Sequence, residues 1–587
     1  MLKNIKLNHY LQGAIALAIV ICINILANGG TGGSSFYASL DLTEEKRFTL
    51  TDPTKALLDE LEEVVYVEVL LEGEFPAGFK RLQRATREKL EDFRARSGFV
   101  EFDFGDPNTG TIAQRNERRK QLKDEGIEPV NLRVADGDSK SSQLIYPYAV
   151  FYYKGRRQAV NLLENDIPGV NPEVALNNSI SLLEYKFVNV IQKLESQQKP
   201  AVLFTAGHGE LAPYETADFE QTLQEFYNTG RLILDSVVHI RPEVDVLVVA
   251  KPTKPFSERD NFKIDQYIMN GGKVLWLLDR VAVDMDSLTS RKEYFPKQYE
   301  INLDNLLFKY GIRFKDNLVL DMQCSNIQLV VGFVGDAPQF DFFRYPYHPV
   351  ISSGATSQHP IVKSLGPINM LFPTTIDTVV ETRLPVEKTV LLASSNNSFF
   401  QRLPLGMDFN FLRYGLEKEN FNKPPQPLAV LYEGEFDSFY ANRLDPGMEA
   451  GLQQLGLSFK AKSERTSMLV VADGDIARND YDQRNQRVIP LGYNRNEMDG
   501  NGFLFSNKDF LINAIEYLSD DRGLIEARSK DVKLRLLDGA AARQQAGFWQ
   551  FFNIGLPLLF LLVFGLFYNW LRKRRYAQDL NASGNEE

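Results

Sequence analysis

Residues 244–279 read VDVLVVAKPTKPFSERDNFKIDQYIMNGGKVLWLLD. A run at 244–250 that is apolar but for Asp245, a helical segment at 257–269, Gly271-Gly272 and a second apolar run at 274–279 ending in Asp279 make a β-α-β unit. Such runs lack the in–out alternation of a sheet with one wet face, so they predict a parallel sheet covered on both sides by helices. The pattern continues in both directions. Upstream, AVLFTA (201–206) reads as a strand, 216–227 as a helix and 232–238 as a strand. Downstream, 389–393, 428–432 and 468–472 read as further strands, and helix 507–518 follows the last of them. Residues 321–427 are rich in aromatics, Pro and Gly and read as loops with an inserted β region, whereas polar 475–502 reads as a mobile loop. An α/β domain is therefore expected over 199–530.

A separate unit is expected over 48–198. FTLTDPTKALLDELEE (48–63) offers Thr51 or Asp52 as N-cap and Pro53 in the first turn of a helix. Strands are expected at 64–71, 99–104 and 129–134, and helices at 76–97, 111–125 and 172–194. Segments 146–153 and 158–163 flank Lys154-Gly155, a hairpin signal. This order resembles a thioredoxin-like layer fold. It lacks C-x-x-C, which excludes thioredoxin-type redox chemistry here.

Both ends of the chain are apolar. LQGAIALAIVICINILA (11–27) carries no charge, follows Lys3 and Lys6, and precedes a Gly/Ser-rich linker within 28–47. It reads as a first transmembrane helix whose amino-terminal side, residues 1–10, is cytoplasmic. Cys22 follows Ile19, Val20 and Ile21, the wrong setting for a lipoprotein signal. Ala27 and Gly29 make a small-x-small site, so a cleaved signal peptide is the competing reading. FWQFFNIGLPLLFLLVFGLFYNW (548–570) is uncharged and has aromatic residues at both ends. Arg572, Lys573, Arg574 and Arg575 follow, so the tail 571–587 is also expected in the cytoplasm, with 531–547 as a juxtamembrane segment. The expectation is a two-ended anchor in the bacterial inner membrane with the main region periplasmic.

At 587 residues the chain is long enough for several domains. Its net charge of −11 argues against a nucleic-acid partner, and two cysteines cannot build a disulfide framework. Gly271-Gly272-Lys273 lacks the spacing of a phosphate loop, and no G-x-S-x-G elbow follows a predicted strand. Cys324 has no His near it in sequence and reads as a buried thiol. The candidate ligand edge is Gly207, His208, Gly209 and Glu210, at the carboxyl end of a strand, where α/β sheets bind ligands. Asp473 and Asp475 follow another strand and could face the same edge, although D-G-D is commonly a turn. A metal site would need a further ligand, and the glycines also serve simple backbone turning.

Four stretches together, DLTEEKRFTLTDPTKALLDEL (41–61), LFTAGHGEL (203–211), VVADGDIARND (470–480) and the run 508–538 before the last apolar helix, carry a resemblance. The chain resembles the GldG family of gliding-motility-associated ABC transporter proteins of the Bacteroidota, and more broadly the auxiliary subunits of uncharacterised ABC transport systems. The resemblance implies a separate ABC ATPase and a separate multi-span permease as partners, and a glutamine-amidotransferase-like domain without the catalytic cysteine. It carries over no catalytic residue and no cofactor. The expected function is a non-catalytic subunit whose outer region engages a cell-envelope protein. Two alternatives stand: an extracytoplasmic binder of a small envelope molecule, and a metal-assisted hydrolase using His208, Glu210, Asp473 and Asp475.

Overall fold

The computed structural model describes residues 49–582, apart from 137–138, 165–171, 197, 284, 291–292, 410–411, 413–417, 445–446, 448–450, 453–455, 457 and 530–543. The expected first membrane helix at 11–27, its flanks and most of 531–547 lie outside the described residues. The chain divides into two compact units after Val532.

The first unit begins with helix α1 (Asp52–Asp59), capped by the Thr51 hydroxyl, which accepts from Thr54 N. Strand β1 (Val65–Val69), helix α2 (Ala77–Arg96), strand β2 (Val100–Phe104) and helix α3 (Ile112–Asp124) follow. A reciprocal Thr111–Gln114 capping box opens α3. Among the described residues, strands β3 (Val130–Asp136) and β4 (Ser139–Ile145) pair only with each other. Strands β5 (Tyr148–Tyr153) and β6 (Arg156–Asn161) turn at Lys154 (φ 47°) and Gly155 (φ 74°), the pair of positive angles that a tight two-residue hairpin requires. The sheet order is β2-β1-β5-β6, with β1 parallel to β2 and antiparallel to β5.

The helix expected at 172–194 is two helices, α4 (Pro172–Ser181) and α5 (Leu183–Glu195). Leu182 between them keeps a helical backbone, with Leu182 N donating to Asn178 O at 3.1 Å and Lys186 N to Leu182 O at 2.9 Å, and Leu182 to Tyr185 are all buried, so the helix is covered on more than one side here.

A seven-stranded sheet forms the second layer system. Its elements are β7 (Ala201–Ala206), α6 (Ala217–Gln224), β8 (Asn228–Ile233), β9 (Val244–Ala250), α7 (Glu258–Met269) and β10 (Lys273–Leu277). After these come β11 (Asn317–Asp321), β12 (Cys324–Val334), β13 (Ala337–Ser352), β14 (Val386–Ala393), β15 (Ser398–Arg402), β16 (Pro427–Gly434), β17 (Thr466–Val471) and helix α8 (Asn507–Ser519). The order is β14-β16-β17-β10-β9-β7-β8. Two cores cover its faces: Val246, Val248 and Leu275 join one, while Leu247, Val249, Val274 and Trp276 join the other. Continuous apolar strands arise because alternate residues feed different cores.

Three expectations are corrected. The sheet is mixed: β16 runs antiparallel to β17, and β14 antiparallel to β16. Leu391, Leu392 and Leu428 to Tyr432 are buried, so their apolar runs report two-sided burial and carry no information on direction. The strand expected at 232–238 lies at 228–233, because Asn228 to Ile233 take up the register Ala201 to Ala206. The polar segment 475–502 forms two small paired ribbons, Tyr481–Asp482 with Arg487–Val488 and Tyr493–Asn494 with Phe503–Leu504, rather than a featureless loop.

The second unit contains helix α9 (Ala546–Ala582). Within residues 546–574 an 18-residue stretch has a mean hydropathy of 2.1, and this helix is long and apolar enough to cross a membrane.

Candidate functional site

The carboxyl end of β7 delivers the glycine-flanked loop. Gly207 (φ 114°) and Gly209 (φ 72°) take backbone angles that suit glycine, and between them His208 folds inward to 6% exposure. Its ring stacks on Phe256 at 3.9 Å between centroids and 8° between planes. Nε2 stands 3.3 Å from Asp260 Oδ2, and Nδ1 stands 3.5 Å from Glu210 Oε1. Glu210 Oε2 accepts from the His208 amide at 2.6 Å, while the His208 carbonyl accepts from Thr253 N and Lys254 N at 2.9 and 2.8 Å. Burial pushes the imidazole towards neutrality, but the Glu210 and Asp260 carboxylates outweigh it and raise its pKa. Asp260 is itself held by Lys263 at 2.9 Å and Ser257 at 2.7 Å.

The chain order reverses between β7 and β9: β8 lies to one side of β7, β9 and β10 to the other. In an open α/β sheet the crevice outside such a reversal is the usual ligand position. Here His208, Gly209 and the Thr253–Lys254 turn fill it. A Cβ on Gly209 would overlap Thr253 Oγ1, and that hydroxyl donates to the Gly209 carbonyl at 3.0 Å.

One to three strands further along the same edge lies a second cluster. Lys251, just after β9, sits between Asp279 Oδ2 (3.1 Å) and the Asp475 carboxylate. Asp279 accepts from Gly474 N at 2.5 Å. Asp473, fully buried, accepts from Leu371 N and Asp475 N at 2.7 and 2.8 Å. Burial drives the Asp279 carboxyl up to about 6 and Asp473 well above its ordinary value, with neighbouring carboxylates adding to both. His348 is buried close enough to feel the Asp475 charge, but burial dominates and pulls its pKa down to about 3, so it is neutral at pH 7.

The structure therefore places all the sequence candidates at one sheet edge but in two clusters. His208 follows β7 and Asp473 follows β17, three strand positions away, roughly 14 Å at ordinary strand spacing. Among the described residues no group of three or more His, Cys, Asp or Glu is arranged to hold a metal ion. Sequence reasoning missed Lys251, Asp279, Asp260 and Phe256. Lys251 and Asp279 could have been found, since each directly follows an apolar strand run; Phe256 and Asp260 give no local signal. Cys324 is buried and its thiol is pushed up to about 12 by that burial, an unreactive setting.

A third polar centre joins the two sheets. Glu516 of α8 accepts from the Tyr185 hydroxyl, from Asn189 Nδ2 at 3.0 Å and from Lys193 Nζ at 2.7 Å, all on α5. Burial alone would raise its pKa, but Lys193 and these donors bring it below the usual value. Lys193 also lies 3.7 Å over the Phe226 ring, and a cavity of about 240 Å³ opens beside the seam.

Comparison with known proteins adds the following. Residues 199–514 match the family described as an ABC-type uncharacterized transport system, and residues 44–152 match a domain of unknown function, DUF7088. An uncharacterized protein of Borreliella burgdorferi is 20% identical over 413 residues, covering 69% of this chain and 74% of its own length. Among solved structures, the mmIFT52 N-terminal domain aligns at 13% identity over 55% of this chain and 98% of its own, with a TM-score of 0.29.

Proposed function

Because the chain belongs to the family of ABC-type uncharacterized transport systems, we propose that it is a non-catalytic auxiliary subunit that passes movement between a membrane transporter and the cell envelope. The observation that carries this reading is the filled crevice at the sheet edge. Where a ligand-binding α/β sheet keeps space, this chain packs its own His208 onto Phe256 and locks the loop to Thr253 and Lys254. A body filled in this way transmits force better than it captures a small molecule. The seam at Glu516 supports the same reading, since it ties α5 of the first layer system to α8 of the second through half-buried hydrogen bonds.

In its finer form the proposal has the chain anchored in the inner membrane by residues 11–27 and 548–570, both termini cytoplasmic and the main region periplasmic. The ATPase and the multi-span permease are separate chains, and the work is gliding motility or export that serves it. The strand order β2-β1-β5-β6 supports a thioredoxin-like reading of the first sheet. The parallel run β17-β10-β9-β7-β8 supports an amidotransferase-like reading of the second.

Affinity purification of the full chain from native membranes in mild detergent, with partners identified by mass spectrometry, tests the proposal. An ATPase and a permease in fixed ratio are expected. Recovery of the chain alone after gentle crosslinking would overturn it. Saturable small-molecule binding abolished by His208→Ala would instead favour the ligand-binding alternative.

A further inference from the structure

After α8 the chain returns to the first layer system. The Asp520 carboxylate accepts from Arg522 N at 3.0 Å and from Ile525 N at 2.8 Å, which starts a short helical turn, Leu524–Ser529. Leu524, 2% exposed, joins the core that holds Leu50, Leu57 and Leu194. Ile525 and Ala527 pack with Tyr185 of α5 and with half-buried Tyr517 of α8. The Arg528 guanidinium lies 5.0 Å from the centre of the Tyr185 ring, and its Nε donates to Pro360 O at 3.1 Å. Arg522 meets Glu60, just past α1, at 3.1 Å and Glu195 of α5 at 3.3 Å. The entering chain is pinned to the same helix, since Thr51 N donates to Glu184 Oε1 at 2.7 Å.

The seam beneath this turn is polar. Among the described residues, every other buried apolar cluster keeps to one side of it, within residues 50–194 or within residues 202–518. The two clusters that cross do so through Leu524, or through Ile525 and Ala527. Across the seam itself stand the Glu516 centre and the Lys193–Phe226 contact, beside the cavity of about 240 Å³. Polar interfaces of this kind let the bodies they join move against each other, whereas apolar burial holds them.

We propose that residues 520–529 are a releasable strap. Seated, they hold the two layer systems together across the polar seam; released, they let the systems part there while both sheets stay folded. This rests on the reading of the chain as a transmitter of movement, and it locates the place where transmission is made or broken. The strap is the last described part of its unit before the chain leads to the apolar helix, so displacement handed along the chain from that side reaches it before either sheet. Its apolar seat is Leu524, Ile525 and Ala527 against the large cores of the two sheets, so it opens at lower cost than they unfold.

The test uses the isolated full chain in lipid nanodiscs, with Cys22→Ala and buried Cys324 kept. Lys193, only 16% exposed, reports the seam through its rate of acylation by an N-hydroxysuccinimide ester. The Ile525 and Glu526 amides, bonded to Asp520 and to the Gly523 carbonyl, report the strap through hydrogen exchange. Leu524→Ala should quicken both by about tenfold or more and leave exchange in β9, β10 and β17 within about twofold. Arg522→Glu, at an exposed site facing Glu60 and Glu195, should quicken both about threefold without touching a core. Glu60→Cys with Arg522→Cys, joined by a short bismaleimide, should slow both by about tenfold or more. A Lys193 rate indifferent to the staple or to both substitutions, or sheet exchange that quickens as much as the strap's, would overturn the strap. No partner chain is present in this experiment, so such a failure strikes the strap alone, whereas a purification without ATPase and permease strikes the subunit reading.

Discussion

Glu516 shows how much one buried side chain can govern. Its carboxylate meets three donors of α5, and the Lys193 and Glu516 side chains are only 16% and 11% exposed. Glu516→Ala leaves the Lys193 ammonium without its partner in a desolvated seam, so a loss of about 3 kcal/mol is expected in thermal unfolding. Glu516→Leu combined with Lys193→Met should recover most of that loss, because the penalty belongs to the orphaned charge; an equally unstable double variant would contradict this account. His208 makes a pH-dependent prediction. Its folded pKa is raised by Glu210 and Asp260, so its contribution is fully present below the unfolded value of about 6.5 and fades as pH rises through the folded value. The stability advantage of wild type over His208→Gln should therefore shrink as pH rises from about 6.5, in thermal midpoints taken across a pH series. An advantage that is flat or grows with pH would remove the charged-imidazole argument.

At the scale of elements, the β7–β9 turn pair tests the filled crevice directly. Gly209→Ala places a side chain at φ 72° and against Thr253 Oγ1, with an expected cost of about 1–3 kcal/mol. Adding Thr253→Ala should return the overlap part of that cost and leave the backbone part, which denaturant midpoints can separate. The same elements show what was legible beforehand. Strands β7, β9, β10 and β17 were readable because each holds three or more consecutive apolar residues, and Gly207 to Glu210 were readable because glycines bracket a His at a strand end. The direction of β14 and β16 was not readable, since burial on both faces looks alike in either direction. The ribbons within 475–505 were hidden by polar composition; their order comes from tertiary bonds such as Asn479 Oδ1 accepting from Asp218 N at 3.1 Å. Nor does any pattern local to His208 announce Asp260, which reaches it from α7 across 52 positions.

If movement passes between membrane and outer region through the segments 28–35 and 539–547, long flexible linkers in their place should leave complex assembly intact and abolish function. Unimpaired gliding or export with assembled complexes would rule the coupling out. One feature of the sheet also bears on how the chain is made. Strand β10 ends near residue 277, yet its neighbour β17, which pairs Met468 with Val274, arrives only at 466–471. During synthesis the hydrophobic flank of β10 must wait for the whole inserted region to emerge before it can close. Such a long delay favours slow folding and transient aggregation of the half-made chain. Nascent chains cut off before residue 466 should therefore be the species that chaperones retain longest, as co-purification of stalled chains would show.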